Sequence, residues 1–348
     1  KLLNETEASI QNKNASVKKL KDFLNISSRS EYLSALGSKK LLDKWTELVF
    51  KIIQEAEYGL GDLIEQRSKE LSDHTLFTDR SQASPVNWSY RQVYHKIRET
   101  AGFLYSLKQN DPRVALFHSN SVEGAISDLA CLSYDIFVTP LNIHFKDDIL
   151  IYIFNTLNID IVITDTSERY KLVKEAAKKI DRDLKIIVTS EKTYKNTDAE
   201  YNLYNDSKKL SNEKINDLLQ KRKRKPIKQT ATTMFTSGST GMPKGVSFSI
   251  YNIVSKRFAR AAALPQVGIQ EKFICYLPLF HTFGRFLELT GSIFWRGTYV
   301  FTGNTSAATL LSLFPKENPT GFISVPVRWV QLYEKCISET ENITNEAK

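Results

Sequence analysis

One stretch decides the fold and the chemistry of this chain: Thr236-Ser237-Gly238-Ser239-Thr240-Gly241-Met242-Pro243-Lys244-Gly245. It follows residues 232–236, which we predict to form a β-strand. Glycines let the backbone approach a ligand closely, so that several N–H groups can point at one anion. Hydroxyl side chains add donors, and the lysine adds a mobile positive charge. This combination suits a triphosphate or a departing pyrophosphate, and the predicted binding residues are Thr236, Ser237, Gly238, Ser239, Thr240, Gly241, Lys244 and Gly245.

The stretch differs from the two common nucleotide-binding loops. A P-loop has the pattern G-x-x-x-x-G-K-[ST], whereas Lys244 follows a proline and precedes a glycine. The dinucleotide-binding pattern G-x-G-x-x-G is also absent. A plain flexible Ser/Gly turn is the competing interpretation, and the lysine and the preceding strand argue against it.

Short apolar runs alternate with amphipathic segments from about Gly59 onwards. Such alternation predicts an α/β fold of mostly parallel sheets with helical crossovers, here in two subdomains. Predicted strands lie at 114–118, 136–139, 159–164, 185–189, 232–236, 273–277, 298–301 and 322–325. Predicted helices lie at 122–133, 146–157, 167–180, 250–264, 284–294, 305–314 and 327–338. The polar, basic segment 196–228 breaks this rhythm, and we interpret it as an excursion between the two subdomains.

We predict that residues 1–58 form a helical N-terminal extension and that residues 59–348 form a second region. Apolar residues recur there at helical spacing in one stripe that includes Leu41, Trp45, Leu48, Val49 and Ile52. The opposite face carries charges of both signs, whereas a membrane-surface helix favours a basic face. We therefore expect this helix to pack against the body of the protein, and we expect residues 1–30 to be held loosely.

The net charge is +9, and most of the excess lies between residues 171 and 228. The densest run, 221–225, lacks interleaved aromatic residues, so we expect a solvated connector and no nucleic-acid partner. No run reaches the roughly 18 apolar residues of a membrane-spanning helix. Three scattered cysteines fit a reducing compartment and predict no cysteine-built metal site. We expect a cytoplasmic protein, with peripheral membrane association and oligomeric state left open.

Residues 236–245 match, position by position, the TSGSTGxPKG motif of the adenylate-forming enzymes, and the chain resembles that family. Three other elements follow in the family's order. Residues 87–90 with Val93 resemble the (T/S)Y-x-x-(L/V) element, and residues 130–142 resemble the core region that ends in P-(L/I)-(D/N). Residues 277–284 are similar to LP-(L/M)-(F/Y)-H-x-x-G. The resemblance implies the family's N-terminal adenylation (AMP-binding) domain, in truncated form, over 59–348.

The resemblance also implies a two-step ligase reaction. A carboxylate attacks the α-phosphorus of ATP to give an acyl-adenylate and pyrophosphate, and a thiol, usually that of coenzyme A, then displaces AMP. ATP, Mg²⁺ and coenzyme A are the implied cofactors. His281 is the implied catalytic residue, with a positioning role near the acyl-adenylate. A packed core histidine is the alternative, because an imidazole ring also suits half-buried positions.

Several of the family's later elements are missing from the chain. We find no YG-x-(T/S)E segment, no TGD element and no small C-terminal domain, so we expect this chain alone to bind ATP weakly and to catalyse little. The residues after His281 are similar to those of fatty acyl-CoA synthetases, which implies a fatty acid substrate. An aryl or amino acid substrate, or a non-catalytic nucleotide- or acyl-binding module, remains open. No metal-binding residue is predicted, and spacing singles out none of Asp128, Asp165 and Glu288.

Overall fold

The computed structural model describes residues 1–12, 15–82, 84–180, 182–236 and 241–346. Its strands, in chain order, are β1 (Thr75–Asp79), β2 (Val86–Ser89), β3 (Arg113–Phe117), β4 (Phe137–Pro140), β5 (Ile161–Thr164), β6 (Lys185–Val188), β7 (Tyr201–Asn202), β8 (Thr230–Thr236), β9 (Lys244–Ser249), β10 (Lys272–Cys275), β11 (Thr298–Phe301) and β12 (Gly321–Phe322).

Helices connect these strands and cover the sheets. They are α1 (Leu2–Gln11), α2 (Val17–Ser27), α3 (Ser30–Leu36), α4 (Lys39–Glu55), α5 (Leu60–Glu70), α6 (Tyr90–Leu107), α7 (Val122–Ser133), α8 (Asp147–Thr156), α9 (Ser167–Ala177), α10 (Glu191–Lys195), α11 (Leu203–Ser207), α12 (Asn212–Lys221), α13 (Ile250–Ala263), the π-helix (Phe283–Leu289), α14 (Thr290–Trp295), α15 (Ala307–Glu317) and α16 (Pro326–Glu346).

Within the described residues, the strands form two sheets. The seven-stranded sheet has the order β7-β6-β5-β3-β4-β8-β9, and the five-stranded sheet has the order β12-β10-β11-β1-β2. All pairings are parallel except β8 with β9 and β1 with β2. The predicted α/β fold with mostly parallel sheets is therefore confirmed.

Four strands, β1, β2, β7 and β9, were not predicted from the sequence, and β9 illustrates the reason. Most of its residues are exposed, and it pairs only with β8 at the edge of its sheet. Because no face of β9 is fully buried, nothing imposes the alternation by which a strand is recognised. Of the predicted strand 322–325 only Phe322 lies in a strand, β12, and the helix expected at 284–294 begins as the π-helix.

Segment 196–228 does not separate two subdomains, so that interpretation is wrong. The strands before and after it, β6 and β8, belong to the same seven-stranded sheet, and β7 inside it adds an edge strand. Its basic end is also held in place. Arg222 donates to Asp135 Oδ2 at 2.9 Å, and the Lys225 N–H donates to Asp135 Oδ1 at 3.2 Å. Opposite charge thus adds to the apolar packing of α12, whose Ile215, Leu218 and Leu219 are buried in the largest core.

The N-terminal helices share the largest hydrophobic core with both sheets. Leu24 and Trp45 are fully buried in it, so the expectation that residues 1–30 are loosely held is wrong. Polar contacts reinforce the packing. Arg67 donates to Ser28 Oγ and to Phe294 O, each at 3.2 Å, and Arg296 donates to Asn25 O at 2.8 Å. Among the described residues, no helix combines the length and the apolar character needed to cross a membrane.

Candidate nucleotide-binding site

The predicted phosphate loop leaves the carboxyl end of β8 and returns as β9. The two strands pair antiparallel, with Thr236 opposite Lys244, and Thr236 Oγ1 donates to Lys244 O at 3.3 Å. Strand β8 is tied to β4 by the Thr139 hydroxyl, which donates to Thr233 O at 2.8 Å. The loop therefore starts and ends on fixed backbone. Of its predicted binding residues, Ser237, Gly238, Ser239 and Thr240 lie outside the described residues.

Three predicted binding residues follow in the described part of the loop and in β9. Gly241 has a φ of +102°, and apart from its chain neighbours no described residue has an atom within 4 Å of the position that a β-carbon would take. Only glycine adopts this backbone conformation readily, and the open space leaves room for a ligand. Lys244 is exposed, and no described residue forms an ion pair with its side chain. Gly245 lies one residue further along β9, opposite Phe235.

His281 is held by the segment that follows β10. The Asn120 side chain binds this segment at two points: Nδ2 donates to Leu277 O at 2.7 Å, and Oδ1 accepts from the Leu279 N–H at 2.9 Å. Asn120 follows β3, and parallel strands of one sheet present their carboxyl ends at the same edge. Asn120 thus brings the histidine segment of the five-stranded sheet to the edge of the seven-stranded sheet at which the phosphate loop begins.

Backbone contact fixes the turn at His281. The His281 N–H donates to Pro278 O at 3.0 Å, and its own carbonyl accepts from the Arg285 N–H at 3.0 Å. A β-carbon on Gly284 would lie 2.4 Å from both Leu277 O and Pro278 O, so the motif needs a glycine there. The His281 side chain is exposed, and partial desolvation lowers its pKa. A neutral imidazole is therefore expected at neutral pH.

Sequence reasoning missed the ion pair that supports this site. Arg285, on the π-helix, donates from Nε to Asp128 Oδ2 at 2.8 Å and from Nη2 to Asp128 Oδ1 at 2.6 Å. Its Nη1 donates to Thr232 Oγ1 at 2.7 Å. Both charged residues are buried. The guanidinium thus joins α7, β8 and the π-helix directly beneath the phosphate loop and the His281 turn.

The other two acidic residues considered from the sequence have different surroundings. Burial alone would raise the pKa of Asp165, but nearby His118 and Arg169 outweigh it and lower the pKa to about 2. Arg169 Nε donates to Asp165 Oδ1 at 2.6 Å, so this carboxylate is a structural partner. Glu288 is buried without a side-chain partner among the described residues, and burial raises its pKa. No group of three or more His, Cys, Asp or Glu in that part of the chain could hold a metal ion.

The family model described as "AMP-binding enzyme" matches residues 64–346. The chain belongs to this family. Long chain acyl-CoA synthetase 8 of Arabidopsis thaliana is 27% identical over 274 residues, which cover 76% of this chain and 37% of that relative. Long-chain-fatty-acid–CoA ligase 5 of Rattus norvegicus is 29% identical over 303 residues, which cover 79% of this chain and 42% of the relative. This AMP-binding family member therefore spans less than half the length of these curated relatives.

Solved structures agree on the fold. ATP-bound MatB from Rhodopseudomonas palustris matches with a TM-score of 0.64 at 21% identity, over 79% of this chain and 51% of MatB. The anthranilate CoA ligase AuaEII in complex with anthranoyl-AMP matches with a TM-score of 0.65 at 18% identity, over 78% of this chain and 50% of that enzyme. The expected resemblance to adenylate-forming enzymes is confirmed, and at these identities the structural likeness bears on the fold alone.

Proposed function

We propose that this chain supplies the phosphate-binding loop and the acyl-site histidine of an AMP-forming acyl-CoA synthetase that acts on a fatty acid. The observation that carries the proposal is the loop between β8 and β9. It combines Gly241 at positive φ with Lys244, which has no ion-pair partner in the described ranges, on a backbone fixed at both ends. The curated relatives are named as long-chain acyl-CoA synthetases or long-chain-fatty-acid–CoA ligases, which supports the choice of acid.

In this proposal, ATP is the substrate that supplies the adenylyl group. Backbone N–H groups and hydroxyls of residues 236–241 bind its phosphates, and Lys244 neutralises charge on the departing pyrophosphate. The pairing of β8 with β9 holds Thr236 opposite Lys244 before the nucleotide binds, which lowers the ordering cost of binding. Residues 277–281 line the place where the acid meets the α-phosphorus.

His281 positions the acid and the acyl-adenylate rather than taking a proton. Desolvation lowers its pKa, so the neutral ring donates or accepts hydrogen bonds without bringing a charge. No acidic side chain contacts the ring in the described part of the chain. Such a contact would normally orient a histidine that serves as general base.

Mg²⁺ has no protein ligand cluster among the described residues, so those residues fit the ion poorly. We derive no step through it, and in this proposal the ion arrives bound to the nucleotide phosphates, which is a common mode for Mg²⁺. Coenzyme A is the proposed thiol acceptor. Lys223 and Arg224 beside α12 are exposed and form no ion pair with any described residue, so they offer a basic surface for anionic lipid, which is the basis for proposing peripheral membrane association.

ATP binding by this chain tests the loop. Calorimetric titration with MgATP should show affinity that falls roughly tenfold or more in Lys244→Ala, because a charge-assisted contact contributes about 1.5–3 kcal/mol. Lys223→Ala is the matched control, since it removes one exposed lysine elsewhere and should leave the affinity within about twofold. Equal affinity of Lys244→Ala and the parent would refute the assignment.

The choice of acid needs a separate assay. Acid-dependent exchange of pyrophosphate into ATP, measured on the full-length gene product, should be supported by palmitate and not by benzoate or phenylalanine. Exchange with benzoate or phenylalanine but not with palmitate would mean that the substrate is an aryl or amino acid, whereas the adenylation reaction would stand. Nucleotide binding without exchange for any acid would favour the non-catalytic module.

A further inference from the structure

A cavity of about 280 Å³ lies where the N-terminal helices meet the five-stranded sheet. Residues 28–31, at the junction of α2 and α3, form one wall, and Glu70, at the end of α5, forms another. Residues 267–269 and 295–296, which precede β10 and β11, complete the lining. The cavity therefore joins the N-terminal helices to the region that the family model matches.

The cavity is separated from the segment that holds His281. Strands β10 and β11 are parallel, so the residues that precede them lie at the amino edge of the sheet, whereas the His281 segment follows β10 at the carboxyl edge. Strand β10 has four residues and is about 13 Å long. A ligand bound in the cavity is therefore separate from the reacting groups of the proposed adenylation.

Three arginines share one carboxylate beside the cavity. Arg29 Nη2 lies 2.7 Å from Glu70 Oε1. Around the other oxygen, Glu70 Oε2, Arg67 Nη1 lies at 3.5 Å and Arg296 Nε at 3.3 Å. None of the three arginines forms an ion pair with another described carboxylate, so three positive charges face one negative charge. Since Arg67 is fully buried and Arg296 is only 5% exposed, solvent screens little of this excess.

Two of these arginines also present unused donors. Nη1 of Arg29 and Nη1 of Arg296 form no hydrogen bond with a described residue, and both atoms remain accessible to solvent. The Ser30 hydroxyl, beside Arg29, is likewise accessible and forms no hydrogen bond within the described ranges. Glu31 also lines the cavity and is exposed. The three arginines still outnumber the two carboxylates, so the cavity suits an anion.

An excess of positive charge at a largely buried position is unfavourable, because its lost hydration is not replaced. Burial, with a further contribution from Arg67, lowers the pKa of Arg296 to about 9, which is the expected response. A phosphate group offsets the excess more fully than a carboxylate, since it carries about −1.5 to −2 charges at pH 7. Guanidinium groups bind phosphate through two parallel N–H donors, and a hydroxyl can donate to a further oxygen.

We propose that this cavity binds a phosphate group, either as free phosphate or as the monoester of a small molecule, with Arg29, Arg296 and Ser30 as donors. The cavity is larger than one phosphate group, and Val267 and Ile269 in its lining provide apolar contacts for an attached body. Bound phosphate connects α3 to the residues that precede β11. It therefore stabilises the packing of the N-terminal helices on the sheet.

Calorimetric titration of this chain with inorganic phosphate, at a constant ionic strength set with sodium chloride, tests the proposal. Phosphate should bind saturably and should slow hydrogen exchange at the backbone amides of α3, whereas chloride alone should do neither. Phenyl phosphate distinguishes the two sources: an affinity about tenfold above that of phosphate indicates a monoester, and an equal or lower affinity indicates free phosphate. Absence of saturable phosphate binding, or binding without slower exchange in α3, would overturn the proposal.

Lys244→Ala separates this site from the phosphate loop. The variant should keep both the phosphate binding and the slower exchange in α3, because Lys244 belongs to the seven-stranded sheet and the cavity borders the five-stranded one. Loss of phosphate binding in Lys244→Ala would place the anion on the phosphate loop and end the proposal. The ATP titration of the same variant is scored independently.

Arg29→Met should lower phosphate affinity about tenfold, because it removes a charge-assisted contact. The fold should persist, since the Arg29 side chain is 43% exposed and its loss reduces the excess of positive charge. Arg91→Met, which removes a 54% exposed arginine paired with Asp73, is the matched control and should stay within about twofold. Glu31→Gln should raise the affinity about twofold, because it removes a negative charge from the lining, and a purely structural arginine cluster predicts no such gain. Unchanged affinity in Arg29→Met, or lower affinity in Glu31→Gln, would contradict the proposal.

Discussion

Arg285 and Asp128, 157 positions apart in the sequence, form a buried ion pair in which two guanidinium nitrogens bind two carboxylate oxygens at 2.8 and 2.6 Å. The third nitrogen binds Thr232 on the strand that leads into the phosphate loop. Each partner depends on the other, because either charge left alone in the core would lose its hydration without compensation. The pair thereby couples the stability of the fold to the geometry of the site.

Asp128→Ala is expected to be among the most destabilising single changes in this chain. Removing one partner of a buried pair costs about 3–5 kcal/mol, because the other charge stays buried and unpaired. Urea unfolding followed by circular dichroism measures the loss. The double variant Asp128→Leu with Arg285→Met should lose less than Asp128→Ala alone, since no charge remains buried. A double variant that is less stable than the single one would contradict this account.

Glu288 makes the stability of the fold depend on pH. Burial raises its folded-state pKa well above the unfolded value of about 4.3, so the folded state holds a proton that the unfolded state has released. The free energy of unfolding must then fall as the pH rises from about 4.3 to the folded pKa, by up to about 1.4 kcal/mol per unit. Glu288→Gln should abolish this decline and gain stability relative to the parent at pH 8. If the parent and Glu288→Gln showed the same change in free energy of unfolding between pH 5 and pH 8, a role for Glu288 would be excluded.

Substitution of Asn120 can loosen the segment that holds His281 without changing any residue of that segment. Asn120→Ala removes both hydrogen bonds to the segment and should cost about 1–3 kcal/mol locally, because a buried carbonyl and N–H lose their partner. Hydrogen exchange at the Leu279 amide should accelerate accordingly. Asn120→Asp keeps the acceptor for this amide and should preserve its protection. An unchanged exchange rate in Asn120→Ala would mean that the amide is protected by other contacts.

Gly241→Val separates backbone strain in the loop from stability of the fold. A β-carbon at this position would meet no described residue beyond its chain neighbours, but the positive φ costs about 1–3 kcal/mol for a residue with a β-carbon. The loop should respond by changing conformation, with at least tenfold weaker ATP binding and an unchanged midpoint of global unfolding. Met242→Ala, an exposed neighbour, should leave ATP binding within about twofold. Wild-type affinity in Gly241→Val would contradict a phosphate-binding conformation at this residue.

The fold was largely predictable because buried parallel strands and amphipathic helices leave strong patterns. Helix α4 buries Trp45, Leu48, Val49 and Ile52 of the predicted apolar stripe, and these residues recur at the helical period. Prediction failed where the apolar pattern of the sequence does not reveal an element or the contacts that hold it. Strand β9 is exposed at a sheet edge, and segment 196–228 is ordered by contacts such as Arg222 with Asp135, which join residues far apart in the sequence.

In the candidate site, too, some residues could be predicted from a local motif and others could be found only from the structure. Thr236, Gly241 and Lys244 were predicted because a local motif carries them; Gly241 lies in the loop between β8 and β9, Lys244 begins β9, and their role in binding stays a prediction. Spacing could not reveal that Asp128 pairs with Arg285 or that Asn120 supports His281, since each contact depends on tertiary packing.

The core that the N-terminal helices share with both sheets extends the packed region beyond the family-matched region. The family match starts at residue 64, yet Asn25 and Ser28 accept hydrogen bonds from the buried guanidinium groups of Arg67 and Arg296. A chain cut at that boundary would take these acceptors away from both arginines and expose the apolar surface that now faces Leu24 and Trp45. The family-matched region and the region that packs around the shared core are therefore different lengths of the same polypeptide.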